Sequence, residues 1–156
     1  MSDTSAFISR RRFCAGACQV ASGATLAAFL PACGGGPTSP SGMPSTLDVI
    51  AGQFSGSAVR ATVAGSALAG VGGAALVEST AGVFLVARTG ESAFSAVDAV
   101  CTHEGCTITG ADGDAYVCPC HGSRYNRSGQ VLQGPASASL RRYGATFSDG
   151  IVTIAL

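Results

Sequence analysis

Two short stretches dominate the chemistry of this sequence: CTHEGC at residues 101–106 and CPCHGS at residues 118–123. They hold both histidines of the 156-residue chain and four of its seven cysteines. Each stretch offers one Cys-His pair, at Cys-x-His or Cys-x-x-His spacing, and one further cysteine. Because imidazole and thiolate are common ligands of transition metals, the first inference is a metal site.

The residues by themselves leave two kinds of site open. Two thiolates and two imidazoles are a tetrahedral donor set for zinc. Outside the cytoplasm, the same four cysteines would be able to form two disulfides instead.

Taken together, the two stretches resemble the Rieske [2Fe–2S] proteins, in which two histidines replace two cysteines on one iron. Both family motifs are intact, and the resemblance extends over about residues 74–156. It implies that Cys101 and Cys118 bind one iron as thiolates. It also implies that His103 and His121 bind the other iron, at the tip of the domain.

A disulfide between Cys106 and Cys120 is a further implication of the resemblance. Their counterparts clasp the two ligand loops in the branch of the family that works in cytochrome complexes, whereas the ferredoxins of dioxygenases generally lack the pair. Because disulfides persist in oxidising compartments, such a pair agrees with the export signal described below.

The resemblance assigns roles to four residues around the ligands. Ser123 and Tyr125 stand where high-potential members place hydrogen-bond donors to a bridging sulfide and to a ligand thiolate. Gly134 and Pro135 stand in a loop that covers the third side of the cluster. Donors to the sulfur atoms stabilise the reduced form and so raise the potential.

The function implied by the resemblance is one-electron transfer by a subunit that is not a catalyst by itself. The first hypothesis is the iron–sulfur subunit of a quinol–cytochrome c or quinol–plastocyanin oxidoreductase, with a cytochrome b/c-type partner and a contact between His121 and quinol. The alternatives are the small Rieske subunit of a periplasmic molybdenum oxidase such as arsenite oxidase, beside a molybdopterin subunit, and a free-standing electron carrier.

One residue departs from the pattern of the quinol-oxidising members. Glu104 stands where they often carry an apolar residue. A carboxylate at this position would have to lose water on docking into an apolar quinol site, which costs free energy. Glu104 therefore counts against the first hypothesis.

The remainder of the chain after residue 46 predicts an all-β domain. Short apolar or β-branched runs occur at residues 57–63, 74–78, 83–88, 94–100, 115–117, 140–147 and 151–156. Gly, Asp, Ser or Pro separate these runs, as is typical of antiparallel sheets, and residues 148–150 (SDG) are typical of a hairpin turn. We expect a Rieske-like antiparallel β-sandwich over residues 47–156, with a small cluster-binding subdomain of two loops.

The first 46 residues have a different composition. SRRRF at residues 9–13 resembles a twin-arginine export signal and predicts a signal segment over residues 1–32. LPAC at residues 30–33 resembles a lipoprotein processing site that would leave Cys33 lipidated; a retained membrane helix and simple cleavage are the alternatives. Residues 33–46 are mostly Gly, Pro, Ser and Thr and predict a flexible tether. We expect a membrane-attached protein of the bacterial cell envelope, on the periplasmic or outer face.

The charge balance excludes nucleic acid as a partner. Nine arginines stand against nine acidic residues, with no lysine. Without residues 1–32, six arginines face eight acidic residues, so the remaining chain carries a charge of about −2. Such a chain has no basic field to gather nucleic acid.

Overall fold

The structure is a computed structural model that describes residues 44–156. These residues form thirteen β-strands without any helix, which confirms the all-β prediction. No helix in this described range is long and apolar enough to cross a membrane. The predicted signal segment, Cys33 and the tether up to residue 43 lie outside the described residues.

The strands are β1 Ser45–Thr46, β2 Asp48–Ala51, β3 Gln53–Ser55, β4 Ala58–Thr62, β5 Ala74–Ser79, β6 Gly82–Arg88, β7 Phe94–Asp98, β8 Gly110–Asp112, β9 Ala115–Val117, β10 Arg124–Asn126, β11 Val131–Gln133, β12 Arg142–Ser148 and β13 Ile151–Ala155.

The strands form two sheets. The larger has eight strands in the order β2-β5-β6-β7-β12-β13-β4-β3, and the smaller has five in the order β1-β8-β9-β10-β11. The smaller sheet is the predicted subdomain, and it is built on strands as well as on the two Cys-His stretches. The second stretch lies between β9 and β10, and the first lies between β7 of the larger sheet and β8.

The last two strands form the predicted hairpin. Ser148 of β12 pairs with Ile151 of β13. The two turn residues, Asp149 and Gly150, both have positive φ angles, 52° and 74°. A two-residue turn of this kind matches the right-handed twist of its flanking strands, which is why Asp-Gly is favoured there.

The beginning of the described chain departs from the expected antiparallel arrangement. Ser45 and Thr46, in the segment predicted as tether, pair with β8 of the smaller sheet. Leu47 is buried, and its N–H donates to the carbonyl of Thr109 at 2.8 Å. The chain then crosses to the larger sheet, where β2 runs parallel to β5. All other strand pairs are antiparallel.

Six strands have no counterpart among the predicted runs, namely β1, β2, β3, β8, β10 and β11. Each has only two to four residues, and most of their residues are exposed or half-buried. A short strand at a solvated edge carries little hydrophobic alternation, so its pairing partner defines it rather than its own sequence.

Two apolar clusters fill the interior. One lies within the larger sheet and includes Val59, Val86 and Ile154. The other contains residues of both sheets, and its members include Cys101 and Cys118 of the two Cys-His stretches. The two thiols are therefore part of the core that joins the sheets.

Tyr116 belongs to this second cluster and predicts a loss of stability at alkaline pH. It is fully buried, its hydroxyl has no hydrogen-bond partner among the described residues, and the Arg127 guanidinium lies 4.6 Å from the ring centroid. Burial raises the pKa of Tyr116 to about 12, against the opposing charge of Arg127. Because the folded pKa exceeds the unfolded value of about 10, ionisation of this tyrosine favours the unfolded chain. The free energy of unfolding is therefore unaffected below pH 10 and falls as the pH approaches 12.

We expect Tyr116→Phe to gain about 2 kcal/mol relative to the wild type between about pH 9 and pH 11.5, because phenylalanine does not ionise. Urea unfolding of both proteins at the two pH values measures this gain. Comparing the two proteins cancels any alkaline effect that they share. A stability difference that stays constant with pH would contradict the prediction.

Candidate metal centre

The two Cys-His stretches fold into the same turn, and we call them the first loop (residues 101–106) and the second loop (residues 118–123). In each loop the N–H of the first residue donates to the carbonyl of the sixth, and the N–H of the fifth donates to the carbonyl of the first. The N···O distances are 2.8 and 2.9 Å in the first loop, and 2.9 and 3.0 Å in the second. The fifth residue is Gly105 or Gly122, with φ angles of 76° and 73°. Glycine is favoured at both positions because residues with a Cβ seldom adopt such angles.

Strand pairing closes the base of each loop. Val100 and Thr107 form an isolated bridge beneath the first loop. Val117 of β9 pairs with Arg124 of β10 beneath the second. Each loop is thus a rigid projection from paired strands, which suits a metal site because little ligand freedom is lost on binding.

The structure brings together the four residues predicted as metal ligands, with the thiols inside and the imidazoles outside. Cys101 and Cys118 are each 2% exposed, and neither is in a disulfide. The His103 and His121 side chains are 28% and 46% exposed. Their ring centroids are 4.9 Å apart, with the ring planes perpendicular.

The predicted disulfide between Cys106 and Cys120 is present. It joins the sixth residue of the first loop to the third residue of the second. The two loops, which belong to different pairs of strands, are thereby held together next to the four ligand residues. Cys101 and Cys118 are not bonded to each other or to another described cysteine, so the alternative of two disulfides does not hold.

Tyr125 lies where its predicted role requires. Its hydroxyl is 3.3 Å from the Cys101 sulfur and 3.0 Å from the Thr102 hydroxyl. Burial raises the pKa of Cys101, but hydrogen bonds from Tyr125 and from the backbone of His103 outweigh this effect and bring the pKa below the ordinary thiol value. Burial and the contact with Cys101 raise the pKa of Tyr125, which keeps the phenol protonated as a donor. The Cys101 thiolate, the form that binds iron, is therefore stabilised.

The second thiol differs from the first. Burial, followed by the neighbouring Cys101 thiol, raises the pKa of Cys118 above the ordinary thiol value. Two thiols in one apolar pocket do not both ionise easily, since each thiolate disfavours the other. A cation between them removes this penalty, so the pocket favours a metal centre over two free thiolates.

The predicted loop that contains Gly134 and Pro135 connects β11 to β12, and we call residues 134–141 the third loop. It is attached to both Cys-His loops. The backbone N–H of Ala136 donates to the Ser123 hydroxyl at 3.0 Å, and Ser123 is fully buried. Ser123 is also among the groups that lower the pKa of Cys101, which places its hydroxyl toward the thiols. Gly134 and Pro135 themselves are exposed.

Thr102 contributes to the arrangement of the loops around the metal centre, and the sequence analysis did not single it out. Its hydroxyl donates to the carbonyl of Ala138 in the third loop at 2.6 Å, and its backbone N–H lies 3.3 Å from the Tyr125 hydroxyl. Thr102 therefore links the first loop, the third loop and the tyrosine donor. The only sequence signal is its position between Cys101 and His103, which does not reveal a distant carbonyl partner.

Glu104 lies beside both histidines at the surface. Its carboxylate oxygens are 4.0 Å from Nε2 of His103 and 3.7 Å from Nδ1 of His121. The Glu104 side chain is 61% exposed. The tip of the domain thus carries a negative charge next to the two imidazoles.

The residues present fit a mixed-ligand iron–sulfur centre. Two thiols without a disulfide partner are buried, two imidazoles lie side by side nearer the surface, and a tyrosine hydroxyl faces one of the sulfurs. Two thiolates and two imidazoles are the ligands of a Rieske centre. Cys101 and Cys118 would hold the inner iron, and His103 and His121 the outer one.

The fold and this donor set define a small all-β metalloprotein with thiol and imidazole ligands. Over residues 56–144, more than half of the chain, the sequence matches the profile of the Rieske [2Fe-2S] domain. The chain belongs to this family, and its cofactor is a [2Fe–2S] cluster rather than zinc.

Two of the proteins to which this chain is similar are subunits of one kind of complex. The chloroplastic cytochrome b6-f complex iron-sulfur subunit 1 of Nicotiana tabacum is 44% identical over 69 residues, which are 44% of this chain and 30% of that subunit. The cytochrome b6-f complex iron-sulfur subunit of Chlorobaculum thiosulfatiphilum is 41% identical over 63 residues, which are 40% of this chain and 35% of that subunit. The matched segment thus spans about a third of each relative.

A solved structure with a similar fold is the ferredoxin of Sphingomonas yanoikuyae B1. It superposes with a TM-score of 0.50 at 21% identity and covers 73% of this chain and 99% of the ferredoxin. This similarity concerns the fold alone.

The contact between Tyr125 and Cys101 predicts that Tyr125→Phe lowers the midpoint potential of the cluster. A hydrogen bond to a ligand sulfur stabilises the extra electron, and the net worth of such a bond is about 1 kcal/mol, which corresponds to roughly 40 mV for one electron. Protein-film voltammetry measures the shift. Tyr143→Phe is a matched control, because Tyr143 lies on β12 and packs against Phe84. If both variants keep the wild-type potential, Tyr125 is not a donor to the cluster.

The position of Glu104 predicts a shift of the opposite sign. Glu104→Gln removes a negative charge beside the imidazoles, so reduction becomes easier and the midpoint potential rises. Because the side chain is largely exposed, we expect a rise on the order of 20 mV that shrinks as salt is added. Voltammetry at two ionic strengths tests this, with Asp149→Asn in the β12–β13 hairpin as a control. A fall in potential on Glu104→Gln would be incompatible with the expected electrostatic effect.

Proposed function

We propose that this protein transfers one electron at a time through its cluster, as the iron–sulfur subunit of a quinol–cytochrome c or quinol–plastocyanin oxidoreductase. The observation that carries the proposal is the pair of exposed histidines on two loops clasped by a disulfide. The relatives named above are subunits of cytochrome b6-f complexes, which supports a cytochrome-containing partner. When bound, the cluster supplies the site that accepts and returns the electron.

The four ligand residues divide the work between the interior and the surface. Cys101 and Cys118 hold their end of the centre within the core, where water is excluded. His103 and His121 present imidazole rings at the tip, where a partner can approach. An electron donor or acceptor that docks on the tip therefore meets the imidazoles first.

His121 is the more exposed of the two rings and is our candidate for the quinol contact. A neutral imidazole nitrogen that does not bind metal can accept a hydrogen bond from a quinol hydroxyl. Histidine can also hold the proton that leaves with the electron, because small changes in its surroundings move its pKa across the physiological range.

Glu104 sets a requirement for the docking partner. A carboxylate at the tip loses its water on entering an apolar site, and this cost is offset only if a cation or hydrogen-bond donor meets it. The proposed partner therefore offers Arg, Lys or ordered water opposite Glu104.

The proposed location is the bacterial cell envelope, with the domain on the periplasmic or outer face and attached to the membrane. The twin-arginine pattern and the LPAC sequence support export and attachment, by lipid on Cys33 or by a retained signal helix. The Cys106–Cys120 disulfide supports an oxidising compartment. The Gly- and Pro-rich segment before β1 would let the domain move between its electron donor and its acceptor.

Electron paramagnetic resonance tests the electron-transfer part of the proposal. A high-potential cluster gives a Rieske signal after mild reduction with ascorbate, as a quinol-oxidising subunit requires. A signal that appears only with dithionite would mean a potential too low for quinol oxidation.

Recovery of the full-length protein from its native membranes tests the partner. We expect a cytochrome b-type subunit to co-purify and to be identified by mass spectrometry. Glu104→Arg serves as the control bait, because reversal of the tip charge should reduce the recovery if that surface docks. Co-purification of a molybdopterin subunit would overturn the assignment in favour of a periplasmic molybdenum enzyme.

A further inference from the structure

A concave site lies where the two sheets meet, and none of the residues predicted to hold or surround the cluster lines it. The cavity measures about 770 Å³, within the range of sites that bind small molecules. Its walls come from β6, β7 and β12 of the larger sheet and from the β8–β9 and β10–β11 turns of the smaller one. The lining residue Asp114 precedes β9 and Cys118 follows it, so the three-residue strand, about 10 Å long, separates the cavity from the second loop.

The charge of the cavity is its most distinctive property. Residues 44–156 contain six arginines and eight acidic residues, yet three of those arginines line this one cavity: Arg88, Arg127 and Arg142. Within residues 44–156, Asp114 is the one acidic residue that lines it. Among the described residues, no carboxylate lies within 4.0 Å of any of the three guanidinium groups, whereas Arg124 elsewhere pairs with Asp112 at 2.8 Å. The cavity therefore carries positive charge that the described part of the protein does not neutralise.

Two of the three guanidinium groups are held in place by the fold. Arg88 donates to the carbonyls of Ala69, Gly90 and Glu91, and its guanidinium carbon lies 5.6 Å from the Phe94 and Phe147 ring centroids.

Arg127 donates to the carbonyl of Gly113 at 2.8 Å and stacks on the Tyr116 ring. Its Nε and Nη1 atoms are buried and have no hydrogen-bond partner among the described residues, so the charge of this guanidinium is not offset by a neighbouring acceptor at these two atoms. Arg142, on β12, is exposed, and no hydrogen bond or ion pair among the described residues holds its guanidinium. Because Arg88 and Arg127 are already held by the fold, only the Arg142 side chain would lose conformational entropy when a ligand binds.

The turn that carries Arg127 is itself rigid. The Asn126 side-chain oxygen accepts hydrogen bonds from the backbone N–H groups of Ser128 and Gln130, at 3.0 and 2.9 Å. Gly129 has a φ angle of 82°, and a Cβ there would lie 3.1 Å from side-chain atoms of Val97 and Leu140. This wall of the cavity is preformed.

The geometry points to a binding site for a small organic anion, and we propose that the cavity binds a carboxylate or phosphate group attached to an apolar or aromatic body. The exposed Arg142 provides charge-assisted donors for the oxyanion, and Arg88 and Arg127, whose guanidinium groups are held by the fold, provide fixed positive charge beside it. Phe94 and Tyr143, together with alanines of the sheet, provide apolar surface for the body. This proposal does not rest on the electron-transfer role, so either one can fail without the other.

Isothermal titration calorimetry on the full-length, cluster-loaded protein tests the site, with phenyl phosphate, benzoate and inorganic phosphate as probes at low ionic strength. We expect saturable binding of phenyl phosphate or benzoate, with inorganic phosphate binding more weakly because it lacks the apolar body. The two aromatic probes distinguish a phosphate site from a carboxylate site. Absence of saturable binding for both of them would overturn the proposal.

Matched charge variants locate the binding. Arg142→Gln should weaken the affinity of the better aromatic probe about tenfold, because it removes one charge-assisted contact from an exposed side chain. Asp114→Asn should tighten it, because an opposing charge is removed. Arg60→Gln on β4, outside the cavity, should leave it unchanged. Arg127→Gln is not a suitable test of binding, because Arg127 also packs on the Tyr116 ring. Equal affinities for Arg142→Gln and Arg60→Gln would overturn the proposal.

Discussion

The two thiols of Cys101 and Cys118 are the expected ligand donors and are core residues as well, and the remainder of the structure depends on this double role. They lie in the apolar cluster that joins the two sheets, so the expected metal centre and the core between the sheets share these two residues. Burial disfavours two free thiolates, and hydrogen bonds relieve that cost at Cys101 alone. The domain is thus prepared for a cation at this place, and metal binding and folding are coupled.

Around the thiols, side chains connect three separate loops. Thr102 links the first loop to the third loop, Ser123 attaches the third loop to the second, and the Cys106–Cys120 disulfide joins the first loop to the second. Tyr125 of β10 contacts Cys101 and Thr102 of the first loop. Each loop would be a flexible connection if it stood alone. Joined in this way, they hold the imidazoles at the surface while the thiols stay buried, which defines the direction in which an electron can leave.

The distribution of charge separates two surfaces of the domain. The tip is negative at Glu104, beside the imidazoles, whereas the cavity between the sheets is positive at three arginines. The overall charge of about zero hides this separation, because a sum over the chain contains no positions. We therefore expect the tip to face a positively charged partner and the cavity to face a negatively charged one.

The sequence by itself predicted the donor residues, the all-β class and the hairpin at Asp149. These features are local: a positive φ requires glycine or an equivalent residue, and a metal donor is a property of one side chain. Only the tertiary structure decided the strands β1, β2, β3, β8, β10 and β11, the contact of Thr102 with the third loop, and the presence of arginines from distant segments in one cavity. Those features depend on pairing between residues far apart in the chain, and short, solvated segments do not encode their partners in their own composition.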